Sequence, residues 1–424
     1  MRKSRSSLRG SDLRGLAQLG THGVAGLADL VEAVHCTVAR CSGAAPERAS
    51  GLTGLIYETV RGLASVVGGV LDALVQRLPT TAERPSSPGR EAVLAALNGV
   101  LGDYLAAKNN PLAIPMTLRR RGRSLSLETK ALAAAMPQAG SKIAVLVHGL
   151  CLNDLQWIRN GQDHGAVLAR ELGYTPVYLH YNSGLHTSIN GRGFAGMLEV
   201  LLREWPQPVE ELAMVAHSMG GLVARSACHY GRLAGHAWPR RLCKLAFLGT
   251  PHHGAPLERG GNWLQAMLGA TPYVAPFARL GKIRSAGITD LRYGNVLDED
   301  WQGCDRFVRT LDTRRLAPLP GGVDCYAIAA TMGKKRDDVR DRFLGDGLVP
   351  VRTALGLHDD PGRCLQFPES RQWIGYGMNH VGLLESAEVS ERLVRWFGEK
   401  PRQRRRRPRT APGGRTAARG ARLS

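Results

Sequence analysis

Six short runs of apolar and β-branched residues dominate the chain from residue 142 onward: KIAVLVHG (142–149), TPVYLHY (175–181), LAMVAHS (212–218), KLAFLGT (244–250), CYAIAAT (325–331) and RCLQFPE (363–369). Helical segments separate most of them. Strands that are near-continuously apolar are buried on both faces, and strands joined through helices run parallel. The alternation therefore predicts an α/β class fold, a mainly parallel sheet with helices on both faces. MTLRRRGRSLSL, starting at Met116, reads as a hairpin with a basic turn at its tip, and ALAAAMP as a short helix. ESAEVSERLVRWF, with Val389, Leu393, Val394 and Phe397 on one face, reads as the closing helix.

The flanks read differently. Within residues 1–110 the apolar positions fall into three stripes at three-and-four spacing: Leu27 to Val38, Leu52 to Leu78, and Val93 to Leu105. They predict an N-terminal helical region, a hairpin or three-helix appendage before an α/β domain over 111–398. The stripes can pack on one another and on that domain. The alternative is that Leu52 to Leu78 lies in a membrane interface, since Glu58, Arg61 and Asp72 interrupt it too often for spanning. Residues 255–324 separate two strands by more than a simple crossover needs, and NWLQAMLGATPYVAPFARL within them is apolar enough to require covering. This insertion is expected to be a cap or lid over the carboxyl ends of the strands.

The formal net charge of the 424 residues is +20, and residues 399–424 carry nine Arg and Lys400 against one acid, Glu399. A tail so charged and without apolar periodicity is expected to be disordered. It either solvates the chain end or attracts anionic lipid headgroups. Nucleic acid is a weaker option, because no aromatic residue is interleaved among the arginines. The basic amino terminus has no h-region and no small-residue cleavage site, so a cytoplasmic location is expected, peripheral to a membrane if the helices or tail bind one. Eight scattered cysteines without a CxxC pair read as reduced thiols.

The stretch LAMVAHSMGGLVAR (212–225) sets a strand against a lone hydroxyl and then two glycines. A strand, a serine and a helix in immediate succession force the serine into an uncommon backbone conformation that only small neighbours tolerate. Ala216 and Gly220 supply them, and Gly221 lets the helix approach the strand. Such a turn exposes the Ser218 hydroxyl and aims the helix amino terminus at a reacting carbonyl. A serine nucleophile needs a base, and the base an acid to orient it. LGDGLVPV puts Asp346 on a glycine-flanked turn; Asp337, Asp338, Asp341 and Glu369 compete for the same role. GMNHVGLLES puts His380 on a loop before the last helix, where none of His148, His217, His252, His253 or His358 lies. Adjacent His252 and His253 suggest a metal, but no third ligand at suitable spacing appears, so a loop lining a pocket is the preferred reading.

VLVHGL, AHSMGG, GTPHHG, GDGLVP and NHVGLL, in that order over residues 140–398, resemble the lipase and esterase branch of the α/β-hydrolase superfamily, including triacylglycerol lipases and GPI inositol-deacylase-like proteins. Ala216 in place of the usual glycine is similar to the Ala-x-Ser-x-Gly elbow of Bacillus-type lipases. The resemblance implies Ser218 as nucleophile, His380 as general base and acid, Asp346 as its orienting partner, and the backbone amides of Leu150 and Met219 as oxyanion donors. No cofactor is implied. Calcium binds near the acid loop in some members, but no oxygen-rich cluster here demands it. The expected activity is hydrolysis of carboxylic esters, with hydrophobic acyl or lipid substrates suggested by the apolar insertion. Amides, thioesters or a polyester would suit the same triad. A non-catalytic scaffold that keeps the fold is a further alternative, and its weakness is that all three side chains are present.

Overall fold

The computed structural model describes residues 87–255, 285–303, 316–334 and 345–399, with isolated positions 11, 12, 14, 15, 18 and 314. The stripes at 27–38 and 52–78, residues 256–284 of the insertion and the arginine-rich tail lie outside the described residues.

Among the described residues eight strands form one sheet: β1 (Thr117–Arg120), β2 (Arg123–Ser124), β3 (Lys142–Val147), β4 (Thr175–His180), β5 (Glu211–His217), β6 (Leu242–Leu248), β7 (Asp324–Thr331) and β8 (Gln372–Tyr376). Their order is β2-β1-β4-β3-β5-β6-β7-β8. Every pair from β4 to β8 is parallel, and only the hairpin β1–β2 and its joint to β4 are antiparallel. The hairpin turns through Arg121 and Gly122, both at positive φ. This is the mainly parallel α/β sheet that the sequence pattern predicts, in the α/β-hydrolase fold that the resemblance implies.

Period-two alternation of buried side chains explains how the sheet is covered on both sides. Val145, Val147, Val177, Leu179, Met214, Ala216, Leu245, Phe247, Ala327 and Ala329 face one layer, with Phe194 and Leu198 of α4 (Thr187–Glu204) and Val223 and Ala227 of α5 (Met219–Leu233). Their neighbours Ala144, Leu146, Tyr178, Ala213, Val215, Ala246, Leu248, Tyr326 and Ile328 face the other, with Leu168 of α3 (His164–Leu172) and Leu393, Trp396 and Phe397 of α9 (Ala387–Gly398). Right-handed crossovers dictate this split. From β3 the chain steps through α3 to β4, then back past β3 through α4 to β5, so the two helices must lie on opposite faces. The reversal makes the carboxyl ends of β3 and β5 a topological switch point, where ligands bind in open α/β sheets.

Five of the six runs form strands as expected. The sixth, RCLQFPE, does not. Leu365 and Phe367 are buried and Gln366 exposed, which mimics a strand, but Leu365 N bonds to Gly356 O and Pro368 ends the run. QWIGY, partly exposed at the sheet edge and less apolar, pairs with β7 instead.

Of the helical stripes before residue 110, only the last is described, as α1 (Pro88–Ala107), started by Ser87 accepting from Arg90 N. Its buried face includes Ala92, Ala95, Ala96, Asn98, Gly99, Val100 and Leu105, while Val93 of the apolar stripe is exposed. Small residues bring the helix axis close to the domain. The remaining helices among the described residues are α2 (Thr129–Ala135), α6 (Ala286–Tyr293), α7 (Val351–Ala354) and α8 (Gly382–Glu385).

Candidate active site

Ser218 follows β5 directly and precedes α5. Its φ of 55° and ψ of −126° place an L-residue in a region costing on the order of 1–3 kcal/mol, which persists only where surroundings enforce it. Several contacts enforce it here. Ser218 N donates to Leu248 O of β6 at 2.8 Å, extending the sheet by one bond. Gly220 has room for no side chain, since a Cβ there would collide with the carbonyl oxygen of Val147 and stand 2.6 Å from that of His148. The Ser218 hydroxyl caps no helix amide, so the turn does not consume it.

Asp346 and His380 meet across two other loops. His380 Nδ1 lies 2.6 Å from Asp346 Oδ2, and His380 N donates to Asp346 O at 3.0 Å. The second carboxylate oxygen accepts from Leu348 N at 2.9 Å and Val349 N at 2.7 Å, so Asp346 is held as a carboxylate acceptor with both oxygens engaged. Asp346 and His380 are 1% and 4% exposed, so their hydrogen bond is largely buried. Because the carboxylate accepts a hydrogen bond from Nδ1–H, the lone pair of the ring resides on Nε2, the tautomer a general base requires.

These loops converge on the end of β5. His217, the residue before Ser218, places Nε2 3.1 Å from His380 O and must donate there. The two rings lie 4.7 Å apart. The His380 ring also covers Gly249 at the end of β6, where a Cβ would stand 3.1 Å from both its Cε1 and Nδ1. On the other side of Ser218, a Cβ at Gly149 would stand 2.9 Å from Ser218 Cβ, so the loop after β3 abuts the turn. Leu150 follows on that loop and Met219 opens α5, which puts both predicted amide donors on segments bordering Ser218. Met219 is the first residue of a 15-residue helix whose aligned peptides favour negative charge at this end.

The competing residues fall elsewhere. Glu369 stands in an exposed turn before β8, at the amino edge of the sheet. Asp337, Asp338 and Asp341 lie outside the described residues. His148 donates from Nδ1 to Gly149 O at 2.9 Å and stacks on Tyr181 at 4.3 Å, with burial pushing its pKa down to about 4. His253 donates to Gly356 O at 3.0 Å, and His252, beside the buried Arg225, meets Phe247 edge-on. The paired histidines thus tie loops together, and among the described residues no group of three or more His, Cys, Asp or Glu could hold a metal.

Two structural roles escaped sequence reasoning. His217 looked like a strand-end residue, yet it braces the loop carrying His380. Ser183 and Asn182, after β4, bind Cys151 N and Gly102 O, at 3.1 and 2.8 Å. No motif marks either, because both act through backbone atoms distant in sequence.

The family model described as a PGAP1-like alpha/beta domain matches residues 194–317, a stretch holding β5, the Ser218 turn and β6. It agrees with the likeness to the lipase and esterase branch of the α/β hydrolases that the five motifs carry. No curated protein matches the sequence. Among solved structures, the mature form of the Bacillus licheniformis lipase BlEst2 is similar at 18% identity and a TM-score of 0.39, over 60% of this chain and 91% of that one. Aspergillus fumigatus lipase B is similar at 12% identity and a TM-score of 0.41, over 93% of this chain and 86% of that one.

Proposed function

We propose that this chain is a serine hydrolase of carboxylic esters. The observation that carries the reading is the backbone of Ser218, strained on a strand-to-helix turn and preceded by His217, which bonds to the loop that holds the His380–Asp346 pair at 2.6 Å. Strain at a buried serine with no capping role is accounted for by nucleophilic chemistry. In this reading His380 Nε2 takes the Ser218 proton as the oxygen attacks the ester carbonyl, and the amides of Leu150 and Met219 receive the oxyanion. His380 then protonates the leaving alcohol. Water, deprotonated by the same ring, cleaves the acyl-enzyme and regenerates Ser218. Asp346 stays ionised throughout and favours the imidazolium formed in each step.

The substrate we propose has a hydrophobic acyl chain, on the strength of the apolar sequence over 262–280 within the insertion. Contact with anionic membrane lipids through the basic tail belongs to the same proposal.

Labelling with a fluorophosphonate and turnover of p-nitrophenyl esters from acetyl to dodecanoyl test it together. Labelling and turnover are expected in the parent and absent in Ser218→Ala, with kcat/KM rising from acetyl to octanoyl. Labelling that persists in the variant places the nucleophile elsewhere, and preference for acetyl sinks the lipid assignment while sparing the esterase one.

A further inference from the structure

The loop after β3 is pressed from behind by a helix that belongs to neither the sheet nor its crossovers. Cys151, next to Leu150, has φ of 59° and is wholly buried, with its amide given to Ser183 Oγ at 3.1 Å. Its other side lies against Gly99 of α1. A Cβ at Gly99 would collide with Cys151 Sγ and stand 3.0 Å from both Cys151 Cα and N. Gly99 cannot easily yield. Its carbonyl oxygen accepts from Ser285 Oγ at 2.6 Å, and one turn on, Gly102 O accepts from Asn182 Nδ2 at 2.8 Å. Asp103 Oδ2 accepts from Ala286 N at 3.0 Å, tying the same helix to the start of α6. The loop is therefore clamped between Gly99 and Ser183 on one side and the Ser218 turn on the other.

We propose that Gly99 is a positioning residue for the Leu150 amide, an inference that rests on the hydrolase reading of Ser218. The peptide planes flanking Leu150 are fixed by where Cys151 sits, and Cys151 sits where α1 leaves room. A side chain at 99 pushes Cys151 out of its left-handed conformation and turns the preceding amide away from the oxyanion. Charge develops on that oxygen only in the transition state, so the loss falls on kcat and not on substrate binding.

The test is made on the full chain, with kcat expressed per fluorophosphonate-titrated site. Gly99→Ala is expected to lower kcat by at least about tenfold with KM within about twofold, and to weaken an alkyl boronic acid, which forms a tetrahedral serine adduct, by a similar factor. Adding Cys151→Gly removes the sulfur and accepts positive φ, so the double variant should regain most of the lost kcat. A merely structural role would reduce the titratable fraction and leave kcat per site intact, which overturns the proposal, as does a double variant no better than the single one. Should Gly99→Ala fail to fold, Ser285→Ala frees the Gly99 carbonyl without filling space. A fall of about threefold in kcat and boronate affinity at constant KM then supports the role, and no change refutes it. A parent without Ser218-dependent turnover overturns the hydrolase reading instead, and this role with it.

Discussion

At the scale of single residues, what distinguishes the site is not its residue types but how their spare hydrogen-bonding capacity is used up. Asp346 has both carboxylate oxygens engaged, one by backbone amides and one by the His380 ring. Asparagine fits the same space, and its oxygen can accept from Leu348 N and Val349 N. Its amide then faces Nδ1 with a donor and drives the imidazole to the wrong tautomer. Asp346→Asn is expected to lower kcat by about 10⁴-fold with KM within a few-fold and little change in thermal midpoint. Steady-state kinetics on titrated enzyme measures it; a loss below tenfold would move the acid role to another carboxylate. The meeting of His380 with Asp346 was legible from the place of the one between the last strand and last helix and of the other on a glycine-flanked turn. His217 was not, because its bond to His380 O joins residues 163 positions apart.

Among the elements, the β5–turn–α5 unit depends on close approach to β3. Gly220 lies under the carbonyl oxygens of Val147 and His148, backbone atoms that cannot rotate aside. Gly220→Ala should destabilise the fold by about 1–3 kcal/mol and lower activity beyond the loss of folded protein, as read by urea titration beside per-site kcat. An unchanged midpoint would mean that the strand and helix separate more easily than the contact implies. Strands with uninterrupted apolar runs announced themselves because both faces are buried. The edge strand β8 escaped, since an edge needs less apolar surface and RCLQFPE offered a stronger local alternation. For α1, the apolar stripe and the buried face overlap only in part: Leu97, Val100 and Leu105 are buried, Leu94 and Leu101 are only partly covered, and Gly99 and Gly102 make approaches too close for a side chain.

Over the whole molecule, imidazoles that burial keeps neutral should set the acid limit. His148 and His253 are lowered to about 4, His164 is lowered, and His180, His217 and His252 are held well below the usual value, each with burial as the first cause. In the unfolded chain these groups take up protons below about pH 6.5, whereas in the native state they do not. The stability they contribute is thus present above about pH 6.5 and is lost as pH falls below it. Urea midpoints should drop steeply between pH 6.5 and 4.5, and a flat profile there would contradict this balance. At the chain end, nine arginines invite a separate test: truncation after Phe397 should release the protein from phosphatidylserine vesicles and leave soluble-ester turnover unchanged. Equal retention of both forms would exclude the tail as the anchor. Among the described residues no helix is long and apolar enough to cross a membrane. The alternation of apolar runs and helical segments by itself determined the α/β class, the parallel sheet and the turn at Ser218, because hydrophobic periodicity and small-residue turns are local properties of a chain. Only the tertiary structure decided which loops meet. The bracing of His380 by His217 and the seat of Cys151 on Gly99 arise between elements distant in sequence, where close packing of backbone against backbone leaves no local signature.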